Sequence, residues 1–139
     1  MTVFEDYADF YDLFYSEKDY RGEAIYIHDL IEKFAGKARS VLDLGCGTGI
    51  HALSLAGMGY EVYGVDRSPK MVKQALHRLE NAPEEISRRL SFGEGDIRHL
   101  RISRYFDVAT ALFHVMSYLT VDRDLLAAMK SVKAHLNNG

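Results

Sequence analysis

The stretch 41–49, Val41-Leu-Asp-Leu-Gly-Cys-Gly-Thr-Gly49, carries the clearest indication of how this chain folds. Its first four residues predict a short buried strand, and three glycines at alternate positions end that strand. The apolar residues that follow are spaced as in a helix, and Thr48 is our candidate for the N-cap of that helix. A strand, a glycine loop and a helix in this order predict the first β-α unit of a parallel sheet.

Short apolar runs and helical stretches alternate along the rest of the chain. The runs that we predict as further strands are 61–65, 90–92 and 106–112. Ser68-Pro69 predicts a helix start, because serine caps helices and proline fits the first turn. Apolar stripes predict one helix before the first strand and one near the end of the chain, with the faces Tyr20, Ala24, Ile27, Ile31, Phe34 and Leu125, Met129, Val132, Leu136. This alternation predicts an α/β fold, a parallel sheet with flanking helices.

The composition is that of one globular domain. The chain has 139 residues, a formal net charge of −3 and 27% charged side chains. This mild acidity argues against a nucleic acid or an anionic membrane as the main partner. A single cysteine, Cys46, excludes an internal disulfide and fits a reducing compartment. Because the sequence shows no signal-like start and no apolar run of about 20 residues, we expect a cytoplasmic protein.

Two known kinds of glycine loop fit this sequence poorly. A dinucleotide-binding loop, G-x-G-x-x-G, needs glycine or alanine where this chain has Ile50. A Walker loop needs a lysine followed by serine or threonine, and this loop has neither at those positions. Asp43 would also lie close to bound phosphates and repel them. A ligand with a positively charged amino group suits Asp43 better.

The segment 41–49 resembles motif I of the class I S-adenosylmethionine-dependent methyltransferases. Further motifs of that family follow in order, namely Asp66 after the second strand, Gly95-Asp96-Ile97 after the third, and Phe106-Asp107-Val108 at the fourth. In the family, the carboxylate that matches Asp66 accepts hydrogen bonds from the ribose hydroxyls, and the one that matches Asp96 meets the adenine amino group. The resemblance therefore implies S-adenosylmethionine as the cofactor and a Rossmann-like sheet.

The resemblance also implies a set of site residues. The cofactor-binding candidates are Tyr15, Tyr20, Asp43, Gly45, Cys46, Gly47, Asp66, Arg67, Met71, Asp96, Ile97 and Leu112. Tyr118 and His114, beyond the fourth strand, are the catalytic candidates at the acceptor side. Packing beneath a lid is the alternative role for these two side chains.

The residues alone leave plainer interpretations open. Asp66 and Asp96 also suit turns at strand ends, and Asp107 suits a structural role because it begins a strand. Cys46 is interpreted as a small packing residue rather than a nucleophile, because no histidine lies nearby in the sequence to activate it. The six histidines show no paired ligand spacing on a shared face, so no metal site is predicted, and most of them are expected to be surface or interface residues.

The segment Ala8-Asp-Phe-Tyr-Asp-Leu-Phe-Tyr15 resembles the N-terminal lid of a methyltransferase subgroup that includes aminosugar N,N-dimethyltransferases. In that subgroup, the tyrosines that match Tyr15 and Tyr20 face the methionine end of the cofactor and the acceptor. The resemblance implies one structural domain with two parts, a helical lid at 1–37 and a cofactor-binding core at 38–139. From the residues alone, the alternative is an aromatic helix that packs on the domain.

The function that the resemblance implies is methyl transfer from S-adenosylmethionine to a small-molecule acceptor. The family's sheet has seven strands, whereas this sequence matches the fold through the fourth, so we expect a truncated fold that is mainly the cofactor-binding half. In the implied order 3-2-1-4, the strand 106–112 is an edge without lysine or proline. We expect self-association through this edge, or loose order there if the chain stays a monomer. Failure of this chain alone to methylate a substrate would not contradict the interpretation.

Two other classes of function stay open. An NAD-binding oxidoreductase fragment is supported by Asp66, which lies 21 positions after Gly45, a spacing that suits a ribose contact. Ile50 and Asp43 argue against this class. The other class is a non-catalytic interaction module that keeps the fold without the cofactor, and the intact glycine loop argues against it.

Overall fold

A computed structural model of the chain describes residues 20–111 and 122–137. The helices within these ranges are α1 (Tyr20–Phe34), α2 (Ile50–Gly57), α3 (Pro69–Glu80), α4 (Glu84–Ser87) and α5 (Asp122–Lys133). The strands are β1 (Ser40–Leu44), β2 (Glu61–Asp66), β3 (Leu90–Glu94) and β4 (Val108–Ala111). A 3₁₀ turn, Ile97–His99, lies between β3 and β4.

The four strands form one parallel sheet in the order β3-β2-β1-β4. Val41 of β1 pairs with Val62 of β2 on one side and with Val108 of β4 on the other. The predicted α/β fold, a Rossmann-like parallel sheet with flanking helices, is confirmed. The strand order reverses at β1, and sheets of this kind bind ligands beyond the carboxyl ends of their strands at such a point.

Two apolar clusters cover the two faces of the sheet. Val41 of β1 belongs to one cluster, together with Ile31 of α1 and Leu55 of α2. Leu42, the next residue of β1, belongs to the other cluster together with Phe106, because successive side chains of a strand point to opposite faces. Val41, Leu42, Leu55 and Phe106 are fully buried. β1 is therefore covered on both faces, as expected for a central parallel strand.

The buried faces of two helices differ in part from the apolar stripes of the sequence. Phe34, at the end of the predicted stripe of α1, is 76% exposed. On α5, Ala128 is fully buried while Met129 of the predicted stripe is 59% exposed. The Ser131 hydroxyl of α5 accepts a hydrogen bond from the Leu100 amide at 2.7 Å. Val132 and Leu136 of the predicted stripe do pack against the cluster that contains Leu100, so the stripe is confirmed in part, and the polar contact through Ser131 adds to it.

The start of the predicted fourth strand is covered by the segment that follows α5. Phe106 forms an isolated parallel bridge with Leu136. Its amide donates to the His135 carbonyl at 2.8 Å, and its carbonyl accepts from the Asn137 amide at 2.8 Å. The prediction of an uncovered edge over 106–112 is therefore wrong for Phe106, because chain from beyond α5 pairs with it. Self-association through the rest of this edge stays a prediction.

Gly64 in the middle of β2 allows the Phe92 ring to lie against the strand. A Cβ atom at position 64 would lie 2.6 Å from Cδ1 of Phe92 and 2.9 Å from Cβ of Cys46. We expect Gly64→Ala to lower the free energy of unfolding by about 1–3 kcal/mol, because overpacking a filled site has this cost. Gly57→Ala is the control, since its Cβ would approach Ile86 at an ordinary 3.7 Å. Urea unfolding measures both variants, and equal stabilities would contradict the prediction.

Candidate functional site

The loops that follow β1, β2 and β3 meet at one edge of the sheet. Parallel strands end at the same edge, so residues that are distant in the sequence come together there. The Cys46 amide donates a hydrogen bond to the Val65 carbonyl at 3.0 Å, which joins the first loop to the second. The Gly95 amide donates to the Asp66 carbonyl at 3.0 Å, which joins the second loop to the third. These contacts make the three loops one continuous surface.

The glycine loop turns sharply between β1 and α2. Gly45, Gly47 and Gly49 have φ angles of 63°, 58° and 85°, which residues with side chains rarely adopt. Gly49 is the N-cap of α2, so the prediction of Thr48 is wrong by one residue, because the backbone is still left-handed at Gly49. Thr48 is fully buried, and its carbonyl accepts a hydrogen bond from Nε of Arg78 at 3.0 Å. The loop is therefore held by α3 as well as by its own glycines.

Asp66, the last residue of β2, connects the glycine loop to the start of α3. Its Oδ2 accepts a hydrogen bond from the Gly47 amide at 2.9 Å, and its Oδ1 accepts one from the Ser68 amide at 2.9 Å. The Ser68 hydroxyl caps α3, as predicted, by accepting from the Met71 amide at 3.3 Å. Burial raises the pKa of Asp66, and the two amide hydrogen bonds oppose that rise. A carboxylate oxygen has two lone pairs, so each oxygen of Asp66 can accept a hydrogen bond from one further donor.

Asp43 of β1 is a buried acid in the same region. It is 2% exposed, and its Oδ1 accepts a hydrogen bond from the Thr110 hydroxyl of β4 at 3.0 Å. Burial is the main cause that raises the pKa of Asp43 to about 7, while the Thr110 hydrogen bond opposes the rise and the charge of Asp66 adds to it. Asp43 is therefore partly protonated at neutral pH, and a cation beside it would favour its charged form.

Cys46 contributes its backbone, rather than a reactive thiol, to the glycine loop. Burial raises the pKa of the Cys46 thiol well above its usual range, and the charges of Asp43 and Asp66 raise it further. The thiol lies 3.6 Å from the Gly47 carbonyl, to which it donates. A thiol without a tendency to ionise is a poor nucleophile. These features support the interpretation of Cys46 as a packing residue.

Asp96 follows β3 at the start of the 3₁₀ turn, and Arg98 holds its side chain. Oδ1 of Asp96 accepts hydrogen bonds from the Arg98 amide at 2.9 Å and from Nε of Arg98 at 3.0 Å. These contacts with Arg98 lower the pKa of Asp96 to about 2. Arg98 also contacts Asp124 of α5 at 3.4 Å. Arg98 was not among the predicted site residues, although an arginine two positions after an aspartate in a turn is a usable signal.

Three further predicted residues lie around this edge of the sheet. Arg67 is exposed and directly follows Asp66. Met71 is buried in the first turn of α3. Ile97 is half-buried and packs against the cluster that contains Leu42. Met71 and Ile97 therefore also have packing roles, which the sequence analysis did not assign to them.

Several predicted site residues lie outside the described residues. They are Tyr15 of the predicted lid, and Leu112, His114 and Tyr118 beyond β4. Tyr20 is the first residue of α1, and the structure describes its backbone alone. The roles assigned to these residues, and the division into a lid at 1–37 and a core at 38–139, stay predictions.

A buried contact joins α1 to α2 beside the glycine loop. His51 of α2 is 5% exposed, and its Nε2 lies 3.4 Å from Oε2 of Glu23 in α1. His135 is also buried, so these two histidines are exceptions to the expectation that most are surface or interface residues. The residues around position 51 do not indicate the burial of His51, because it depends on the packing of α1 against α2. Within 20–111 and 122–137, no three His, Cys, Asp or Glu residues are grouped to hold a metal ion.

The chain matches known proteins over most of its length. Residues 41–139 match a family model described as a methyltransferase domain. A dTDP-3-amino-3,4,6-trideoxy-alpha-D-glucopyranose N,N-dimethyltransferase from Streptomyces venezuelae is 35% identical over 136 residues, which is 96% of this chain and 54% of that protein. The described part of the chain has no helix with the length and apolar character needed to cross a membrane.

Solved structures share this fold. The crystal structure of DesVI from Streptomyces venezuelae matches with a TM-score of 0.81 and 35% identity, over 94% of this chain and 53% of that one. The SAM-bound structure of CalS10, an amino pentose methyltransferase from Micromonospora echinaspora, matches with a TM-score of 0.77 and 32% identity, over 88% of this chain and 48% of that one. The chain spans about half the length of these relatives. By its glycine loop, its strand order and these matches, the chain belongs to the methyltransferase-domain family.

Proposed function

We propose that this chain binds S-adenosylmethionine at the edge formed by the loops after β1, β2 and β3, and that it serves methyl transfer to a small molecule. Membership of the methyltransferase-domain family supports the proposal. Because relatives are named for amino sugars, an amino sugar is our candidate acceptor. In this proposal the chain supplies mainly the cofactor-binding half, since it spans 54% of the Streptomyces venezuelae relative. A cytoplasmic location stays a prediction.

The observation that carries the proposal is the buried Asp43 beside the glycine loop. The methionine end of S-adenosylmethionine carries a cationic amino group and a sulfonium, and a buried carboxylate favours both charges. A dinucleotide would instead bring an anionic pyrophosphate to a loop flanked by Asp43 and Asp66, which are both buried. Like charges repel strongly where water does not screen them. The NAD-binding alternative is therefore disfavoured.

The other cofactor contacts are those that the resemblance to the methyltransferase family implies. We assign the ribose hydroxyls to Asp66 on that ground, and the assignment is supported by its capacity to accept further hydrogen bonds while it holds the amides of Gly47 and Ser68. We likewise assign the adenine amino group to Asp96, which is kept ionised and accepts hydrogen bonds only. The further cofactor candidates are Tyr15, Tyr20, Gly45, Cys46, Gly47, Arg67, Met71, Ile97 and Leu112.

Methyl transfer from a sulfonium mainly requires the protein to position the acceptor and the cofactor. S-adenosylmethionine, when bound, supplies a methyl group on a sulfonium, which is already a good leaving group. The protein must hold the acceptor in line with that methyl group and exclude water. Tyr118 and His114 are our candidates for the acceptor side, where an ammonium or hydroxyl must lose a proton. The lid at 1–37 is our candidate for the exclusion of water.

Calorimetric titration with S-adenosylhomocysteine tests the proposed function. We expect saturable binding, and we expect this ligand, but not NADH, to raise the melting temperature. Circular dichroism establishes that the sample is folded. No heat at high micromolar ligand in a folded sample would contradict the proposal, and protection by NADH alone would favour the oxidoreductase alternative.

Binding of S-adenosylhomocysteine is expected to weaken as the pH falls below about 7. Asp43 must be ionised to pair with the ligand's amino group, and its pKa in the free protein is about 7. Below that pH, binding must first remove a proton, so the affinity should fall by up to about tenfold per pH unit. Calorimetry across this range measures the affinity, and buffers of different ionisation enthalpy report the released proton. An affinity that does not change with pH would contradict the assignment of Asp43.

A further inference from the structure

Arg98 fixes the carboxylate of Asp96 in one orientation. Nε of Arg98 donates to both oxygens, at 3.0 and 3.1 Å, and a terminal nitrogen donates to Oδ2 at 2.6 Å. The Arg98 amide adds a further hydrogen bond to Oδ1 at 2.9 Å. A guanidinium that meets a carboxylate through two nitrogens fixes the plane of the carboxylate as well as its distance. Asp96 cannot rotate without losing several of these contacts.

Arg98 is itself anchored by a second element of the fold. Its other terminal nitrogen lies 3.4 Å from Oδ2 of Asp124, in the first turn of α5. α5 is fixed to the same loop through Ser131, whose hydroxyl accepts from the Leu100 amide. The guanidinium is therefore held between the 3₁₀ turn and α5, and its position does not depend on Asp96 alone.

The hydrogen bonds from Arg98 leave Asp96 little capacity to accept further donors. The carboxylate is ionised, so it can only accept. Arg98 offers it three donors, its amide, Nε shared between both oxygens and one terminal nitrogen, which leaves about one of the roughly four lone-pair positions for a further donor. A purine with a 6-amino group offers it a donor. A purine with a 6-oxo group instead presents lone pairs to a negative charge that cannot turn away.

We propose that Arg98 is a positioning residue that makes the site selective for 6-aminopurines, by holding Asp96 as a fixed hydrogen-bond acceptor. The inference rests on the proposed function, since it takes Asp96 as the contact of the purine. Without Arg98, the Asp96 side chain is free to rotate away from a 6-oxo group, which removes the repulsion. It is then also less well placed to accept from a 6-amino group. Loss of Arg98 should therefore weaken the adenosine ligand more than the inosine ligand.

The test compares S-adenosylhomocysteine with S-inosylhomocysteine by calorimetry on the full chain. We expect the wild-type protein to prefer the adenosine ligand by about 100-fold, and Arg98→Gln to reduce the preference to about tenfold or less. Arg98→Lys keeps the charge but lacks the planar fork, so we expect it to resemble Arg98→Gln. Arg101→Gln, at an exposed arginine of the same loop, is the matched control and should keep the wild-type preference.

Each outcome separates the inference from the function on which it rests. An unchanged preference in Arg98→Gln, or no preference in the wild-type protein, overturns the inference and leaves the proposed function intact. No binding of either ligand by folded wild-type protein contradicts the proposed function itself. If Arg98→Gln does not fold, Asp124→Asn removes only the anchor on α5. That variant should then show a preference below that of the wild type, and an unchanged preference would overturn the inference.

Discussion

Asp43→Asn is expected to raise the free energy of unfolding at about pH 8 by about 2–4 kcal/mol, and to weaken binding of S-adenosylhomocysteine at least about tenfold. Asp43 is 2% exposed, and its pKa is about 7 in the folded protein against an ordinary value of 3.8. Each unit of difference corresponds to about 1.4 kcal/mol. Asparagine has the same shape and can still accept from the Thr110 hydroxyl, and it buries no charge.

The raised pKa of Asp43 sets the pH range in which Asp43→Asn stabilises the protein. The folded protein holds the Asp43 proton more tightly than the unfolded chain does. Protonated Asp43 therefore contributes to the free energy of unfolding. This stabilising contribution is fully present below about pH 4 and is lost as the pH rises through about 7. The gain from Asp43→Asn should accordingly be large at about pH 8 and near zero at about pH 4. Urea unfolding at several pH values measures it.

A matched control for this prediction is Asp107→Asn. Asp107 is exposed, and hydrogen bonds from the Arg39 amide and the Asn137 side chain lower its pKa. Its stabilising contribution is present above its ordinary pKa and is lost as the pH falls, so Asp107→Asn should give no gain at about pH 8. A gain for Asp43→Asn that is equal at low and high pH would contradict the argument, as would no gain at about pH 8.

Asp66→Ala is expected to abolish measurable binding of S-adenosylhomocysteine and to lower the free energy of unfolding by about 2–4 kcal/mol. The change leaves the amides of Gly47 and Ser68 without their acceptors, and each buried unpaired group costs about 1–3 kcal/mol. It also removes the group that we assign to the ribose. Urea unfolding measures the first effect, and calorimetry on samples that circular dichroism shows to be folded measures the second.

Two companion variants separate the roles of Asp66. Asp66→Asn keeps one acceptor oxygen and removes a buried charge whose pKa is raised by burial, so we expect little loss of stability with binding that is still strongly weakened. Asp29→Ala, at an exposed acid of α1, controls for the change in net charge and should bind like the wild type. Wild-type affinity in folded Asp66→Ala would mean that Asp66 only holds the glycine loop, and the ribose assignment would be wrong.

The order of the elements, and the positions of the candidate site residues along the chain, follow from local signals in the sequence. The glycine turn at 45–49, the cap at Ser68 and the four strands were all predicted near their observed positions. These signals are local, because backbone preference, capping and periodic burial depend on residues within a few positions of each other. The same signals placed Asp66 and Asp96 at strand ends, where ligands bind.

The protonation and the hydrogen-bonding capacity of those residues depend on contacts with elements that are distant in the sequence. Burial raises the pKa of Asp43, and the hydrogen bond from Thr110, which is 67 positions away, lowers it. Arg98 is held by Asp124, which is 26 positions away. The burial of His51 likewise depends on the packing of α1 over it. Loss of water and contact with distant elements set the charge and orientation of a side chain, and neither can be computed from neighbours along the chain. The sequence therefore fixes where the carboxylates lie along the chain, whereas the packing of distant elements around them sets their protonation and their hydrogen-bonding capacity.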